Sequence, residues 1–217
     1  MSTFILTTHG ADYHVGGFNQ HENSRVDGPI AIEVIAHSLA QINRFTGHAI
    51  RPYSVAEHSL LCVEIAERLQ LNPWARMAAL MHDAHEAFTG DISSPAKWEL
   101  GTAWKNFEDT HSWAVRRAFG LHERFRLYHE QVQRCDLIAL ATERRDLLPF
   151  KPGVSSPWPL LDRPGFEIPC AHWTDLNTLK RKQRDWTEWR DLFLEKFRSL
   201  KGASVEWFAA NVREHQA

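Results

Sequence analysis

Within the stretch from Ala78 to Lys97, reading AALMHDAHEAFTGDISSPAK, residues His82, Asp83, His85, Glu86 and Asp91 crowd imidazole and carboxylate groups into ten positions. On a helix, neighbours point about 100° apart, so His82 and Asp83 reach one ion together only from a shared edge. Glu86 follows them by one turn and rises above that edge. Asp91 comes just past Thr89-Gly90, where glycine lets the backbone turn sharply back. Flanked by Leu80, Met81 and Phe88, these groups are costly to bury without a common cation. The chemistry this favours is metal binding, with spare carboxylates beside the ion for proton transfer.

Two further ligand types belong to the same pattern. His58 precedes Leu61, Cys62, Ile65 and Leu69 at helical spacing and so shares a buried face, and Asp136 lies among Val132, Ala139 and Leu140 in the same way. Any one of the four reads equally well as a satisfied core residue. As a set of two imidazoles and two carboxylates they suit a single divalent ion, because buried carboxylates need explicit partners. Arg44 offers a planar fork suited to phosphate, although an arginine near a helix end is also an ordinary surface feature. His85, next to Glu86, either reaches phosphate or faces solvent.

The elements that must position these groups are mostly helical. Residues 3–15 carry β-branched and aromatic residues on both sides of His9-Gly10-Ala11-Asp12, which predicts a small hairpin, and 16–28 reads as loop. After Pro29, Ile35, Leu39 and Ile42 predict a helix that delivers Asn43-Arg44-Phe45 near its end. Ser54-x-x-Glu57 is a capping box opening a helix to Leu69, and Asn72-Pro73 caps the helix that carries the His-Asp doublet. Helices from about 97 to 119 and from about 123 to 148 follow. The span 150–169 holds five prolines and reads as a loop or lid ordered by its contacts. A charged helix from about 175 to 200 and a short one at 204–213 complete the chain. Glu143-Arg144-Arg145-Asp146, two turns beyond Asp136, reads as a set of ion pairs on or near the pocket rim, with Glu143 or Arg144 as the alternative support behind the ligands. The basic run Lys180-Arg181-Lys182 with Arg184 reads as a solvated face.

Composition narrows the partners. With 217 residues and 43% hydrophobic content the chain can bury one substantial core, and a single domain is expected, with a core at about 29–148 and the later segments packed on it. A net charge of −2 gives no reason to expect a nucleic-acid polymer or an anionic membrane. Three scattered cysteines without CxxC spacing fit neither a disulfide framework nor a zinc ribbon, and suit a reducing cytoplasm. No stretch approaches the roughly 20 apolar residues of a membrane span.

With these residues in view, the chain resembles the HD-domain metal-dependent phosphohydrolases, an all-α superfamily named for the doublet. The segments INRF (42–45), SVAEHSL (54–60) and HDAHEAFTGDISSPAK (82–97) extend the likeness to the bacterial 5'-deoxynucleotidase subgroup, which is related to deoxynucleoside triphosphohydrolases. The resemblance covers roughly 35–148. It implies an HD-domain helical bundle in which His58, His82, Asp83 and Asp136 hold one divalent ion (Co, Mn, Zn or Mg), Glu86 and Asp91 serve the chemistry and Arg44 grips phosphate. The partner it implies is a small nucleotide; homo-oligomerisation stays open. Phe45 stands where that subgroup usually has tryptophan, which keeps stacking and removes an indole donor. The expected reaction is hydrolysis of a deoxynucleoside 5'-monophosphate. The alternatives are triphosphate release from a deoxynucleoside triphosphate, a dinuclear HD oxygenase drawing on His111 or His129, and a non-catalytic nucleotide sensor.

Overall fold

The computed structural model describes residues 3–16 and 28–214. Its regular secondary structure, among the described residues, is helical apart from one antiparallel hairpin, β1 (Phe4–Leu6) and β2 (Asp12–His14), paired in the register Phe4 to His14 and Leu6 to Asp12. Most of the expected loop at 16–28 lies outside the described residues. The hairpin docks through Tyr13, whose ring stacks on Phe88 at 3.9 Å and whose hydroxyl lies 2.6 Å from Nδ1 of His111.

The helix that organises the rest is α2 (Val55–Arg68). Ser54 caps it by accepting from the Glu57 amide at 3.2 Å. The reciprocal half of the capping box is replaced: the buried Glu57 carboxylate takes Arg51 at 2.7 and 2.8 Å and Arg181 at 3.0 Å. Two separate apolar clusters meet on α2. Val55, Ala56, Leu60 and Val63 belong to one, with α1 (Ile32–Leu39) and α3 (Pro73–Met81). Leu61, Cys62, Ile65 and Ala66 belong to the other, with Cys135, Ile138 and Ala139 of α7 (His129–Leu147). His58 sits between these two clusters on α2 and is fully buried. Leu69, read as part of this face, lies at the helix end and is 39% exposed.

Several helix boundaries differ from those expected. The doublet is not inside α3, which ends at Met81. His82 is its C-cap, and residues 83–88 turn tightly, with i to i−3 bonds from Ala84, Glu86 and Phe88, into the short α4 (Glu86–Thr89). Gly90 ends α4 at φ 79° and ψ 159°, a conformation open to glycine, and sends the chain toward Asp91. The next helix, α5 (Ser94–Ala118), begins three residues earlier than expected and is broken at Gly101 (φ 56°, ψ −134°). The single helix expected at 123–148 is two, α6 (His122–Leu127) and α7, separated at Tyr128. The C-terminal region forms α8 (Leu179–Gln183) and one long α9 (Trp186–Glu214) in place of helices at 175–200 and 204–213. Helix α9 lies across α1, α2 and α3 through Trp189, Phe193 and Phe197, which belong to the larger cluster.

Arg44 is also delivered differently. Helix α1 stops at Leu39, and Asn43 bridges Ser54 in extended conformation, with the Arg44 amide donating to the Tyr53 carbonyl at 2.9 Å. Phe45, Thr46 and Gly47 then adopt positive φ in succession (56°, 53° and 78°). The short ladder ties Arg44 to the start of α2 and hence to His58.

Candidate metal centre

Four donor atoms from α2, the end of α3 and α7 converge. His58 Nε2 lies 3.2 Å from His82 Nε2, 3.5 Å from Asp83 Oδ2 and 3.3 Å from Asp136 Oδ1, and His82 Nε2 lies 3.1 and 3.9 Å from those same oxygens. Donors about 2.1 Å from one ion stand about 3.0–3.4 Å from each other in octahedral or tetrahedral arrangement, so this set fits a divalent cation. The orientation of the rings agrees. His58 Nδ1 faces Glu143 Oε1 at 2.5 Å and His82 Nδ1 faces the Ala79 carbonyl at 2.8 Å; with the Nδ1 proton given to these acceptors, an ion at the centre would take the Nε2 lone pair of each ring.

The charges around the cluster pull in opposite directions. Burial and Arg44 oppose a proton on His58, but Cys62, Glu143 and Asp136 outweigh them and raise its pKa well above the ordinary imidazole range. Against the cost of burial, His82, His58 and Arg44 hold the Asp83 carboxyl far below its usual range, and His58 and His82 hold Asp136 down as well. The pocket is thus arranged for positive charge at its centre, which an ion supplies. Cys62 Sγ is a further donor, 3.6 Å from His58 Nε2, and it falls within a metal-sized group with His58, His82 and Asp136. Burial raises this thiol to about 11, and the Asp83 carboxylate lies beside it as the other candidate for a fourth donor.

Asp83 and Asp136 line two cavities. The larger, of about 530 Å³, also receives Arg44, Phe45, Glu86, Asp91 and Lys97. The smaller, of about 260 Å³, receives His82, His85, Glu108 and His129. His85 therefore opens on a different side of the cluster from Arg44 and Phe45, with its Nε2 3.5 Å from Glu108. Arg44 is held between buried acids, Nη2 to Glu143 at 3.3 Å and Nη1 to Asp83 at 3.6 Å, with its guanidinium 5.5 Å from the Phe45 ring centre and its buried Nε without an acceptor. Burial, followed by the charges of Asp83 and Asp91, raises Glu86 well above the carboxylate range. Burial and Asp83 likewise raise Asp91 against the pull of Arg44. His111, with Tyr13, stands away from the ligand atoms in a separate aromatic group with Phe107.

Comparison with known proteins places this geometry. The family model described as HD domain matches residues 55–151. An uncharacterised Escherichia coli (strain K12) protein, YfdR, is 36% identical over 162 residues, covering 74% of this chain and 79% of that protein. The chain belongs to the HD-domain family. An uncharacterised protein of Rhodobacter capsulatus is 43% identical over 99 residues, 42% of this chain and 49% of the relative. HD domains are generally metal-dependent hydrolases that bind a divalent ion, and the His/Asp cluster of this HD domain is the candidate site for one. Among the described residues no helix is long and apolar enough to cross a membrane.

Tyr53, Glu143 and Lys97 surround the cluster. Tyr53 donates to Glu143 at 2.9 Å, so Glu143 gathers His58, Tyr53 and Arg44 on one carboxylate. Its spacing from Asp136, seven residues on one helix, was the signal that put it on the same face. Lys97 bonds Glu108 at 2.6 Å and lies 3.8 Å from Glu86. Arg144 turns away from the ligands to pair with Asp162 of the Pro-rich segment.

Proposed function

We propose that the chain hydrolyses the 5'-phosphate ester of a deoxynucleoside monophosphate, with one divalent ion held by His58, His82, Asp83 and Asp136. The observation that carries this reading is the convergence of those four donors on a cavity that also receives Arg44, Glu86 and Asp91. When bound, such an ion polarises a phosphoryl oxygen and makes water a stronger acid. Arg44, clamped by Glu143 and Asp83, has an unmatched buried Nε donor that a phosphoryl oxygen would satisfy. Glu86, whose raised pKa favours its protonated form, can hand a proton to the departing sugar oxygen, and Asp91 supports it from the same cavity. The Phe45 ring beneath the guanidinium gives the sugar an apolar surface.

The choice of a monophosphate rests on where the cations are. Arg51 is committed to Glu57 and the Leu176 carbonyl, and Arg181 to Glu57 and Glu64. Among the described residues, the Lys and Arg side chains lining the cavity are Arg44 and Lys97, facing four carboxylates. That is little positive charge for a triphosphate. The test is chromatography of products from deoxynucleoside mono- and triphosphates with Mn²⁺, Co²⁺, Zn²⁺ and Mg²⁺ in turn. Inorganic phosphate and free deoxynucleoside are expected; triphosphate release without action on monophosphates would overturn the substrate choice, and inactivity on every nucleotide would end the hydrolase reading. In parallel, metal analysis should find about one ion per chain, with weaker retention in Asp136→Asn.

A further inference from the structure

Helix α7 carries Asp136 into the ligand cluster, Leu140 one turn later into the wall of the larger cavity, and Arg144 two turns later onto the Pro-rich segment. Eight residues of helix span about 12 Å, comparable with the length of a nucleoside. At that distance the Arg144 guanidinium forks onto Asp162 at 2.5 and 2.7 Å and lies 4.1 and 5.4 Å from the ring centres of Phe150 and Trp158. Asp162 in turn accepts the Trp158 amide at 2.6 Å. Leu161, between them, is 1% exposed and anchors the segment inward. A stretch without regular secondary structure is thereby fixed at one point, and there Trp158 and Leu160 enter the lining of the cavity that Asp136 enters from the other direction.

The cavity is therefore built for an amphiphilic ligand. Its charged lining comes from the ligand helices, Arg44 and Lys97; its apolar lining comes from Leu137 and Leu140 of α7, Trp158, and Trp98 on α5. Its volume of about 530 Å³ lies within the usual range for a small-molecule site. We propose that Trp158 is the wall against which the planar base of the substrate lies, and that the Arg144–Asp162 pair is the clasp that positions it. This rests on the nucleotide reading above and adds to it a base subsite formed by the Pro-rich segment. An indole accepts any base by its face, so the subsite contributes affinity for a ring with little discrimination between rings.

The test separates base recognition from catalysis by using binding alone. Calorimetric titration of the metal-loaded protein compares the methylenephosphonate analogues of deoxyribose 5-phosphate and of deoxyadenosine 5'-monophosphate, neither of which has a phosphate-ester bond to cleave. The nucleotide analogue should bind roughly tenfold more tightly, the scale of one stacked base. Trp158→Ala should remove most of that advantage, Trp158→Phe should restore much of it, and Asp162→Asn should reduce it in a protein with unchanged circular dichroism and metal content. Equal affinity for the two ligands in the wild type, or an advantage that persists in Trp158→Ala, would overturn the subsite. A base-dependent advantage in a protein that cleaves no nucleotide would uphold the wall while removing the hydrolase reading.

Discussion

Replacing Glu143 by glutamine isolates the support behind the ligand cluster. The carboxylate is fully buried and serves His58 Nδ1 at 2.5 Å, the Tyr53 hydroxyl at 2.9 Å and Arg44 Nη2 at 3.3 Å. Glutamine has one acceptor oxygen and an amide that only donates. If the oxygen faces His58 and Tyr53, the amide meets Arg44 donor to donor; if the amide is reversed, His58 loses the acceptor that holds its ring. Either arrangement also deletes the charge that makes His58 a better electron donor. Loss of such a partner costs roughly 10- to 100-fold in metal affinity, or about 1.4–2.8 kcal/mol. The fold should lose about 1–3 kcal/mol from the unmatched buried donor, since Asp83 remains 3.6 Å from Arg44 to share its charge. Competition against a chromophoric chelator reads the affinity, and urea denaturation of the metal-free protein reads the fold. A folded Glu143→Gln protein whose metal affinity stays within about twofold of the wild type would refute the reasoning.

Two other expectations concern different groups. Glu86→Ala should keep its metal while turnover drops roughly 10²-fold or more, the scale of lost acid–base help; unchanged turnover would remove Glu86 from the chemistry, and loss of metal would make it a ligand. Burial, reinforced by the charge of His85, depresses the His111 imidazole to about 4, against about 6.5 in an unfolded chain. Between those values the unfolded chain binds a proton that the folded protein refuses, so this contribution is complete above about pH 6.5 and fades as the pH falls toward 4. His111→Gln should flatten the denaturation midpoint across that window, and pH profiles that remain parallel would contradict the assignment.

What could be read from the sequence was mostly local. Ser54 and Asn72-Pro73 mark their helix starts because a cap needs only the next three residues, and both side chains accept the amide three positions on. Asp185 carries the same signal before Glu188: its Oδ1 accepts the amides of Thr187 and Glu188 at the start of α9. The break at Tyr128 has no glycine or proline to announce it. Among the site residues, the helical spacing around His58 and Asp136 pointed to inward faces, and those side chains do meet. Yet the tight turn after Met81, which carries Asp83 toward both imidazoles, departs from the regular helix on which the doublet was placed. The pair Lys97 with Glu108 forms across the Gly101 break inside α5, and Arg144 with Asp162 joins α7 to the Pro-rich segment; no local pattern specifies either contact.

Glu57 bears on how the chain can be divided. Its buried negative charge is matched by Arg51, six residues upstream, and by Arg181, 124 residues downstream, and the carbonyl that steadies Arg51 belongs to Leu176. A fragment trimmed to 55–151, the reach of the family match, would carry Glu57 buried in the first turn of its central helix with neither arginine present. An unmatched carboxylate in that position destabilises a fold by several kcal/mol. Grafting or minimising this HD domain therefore means keeping the segment around Arg51 and the C-terminal segment through α8 together, because the counterions of Glu57 lie on either side of the family match.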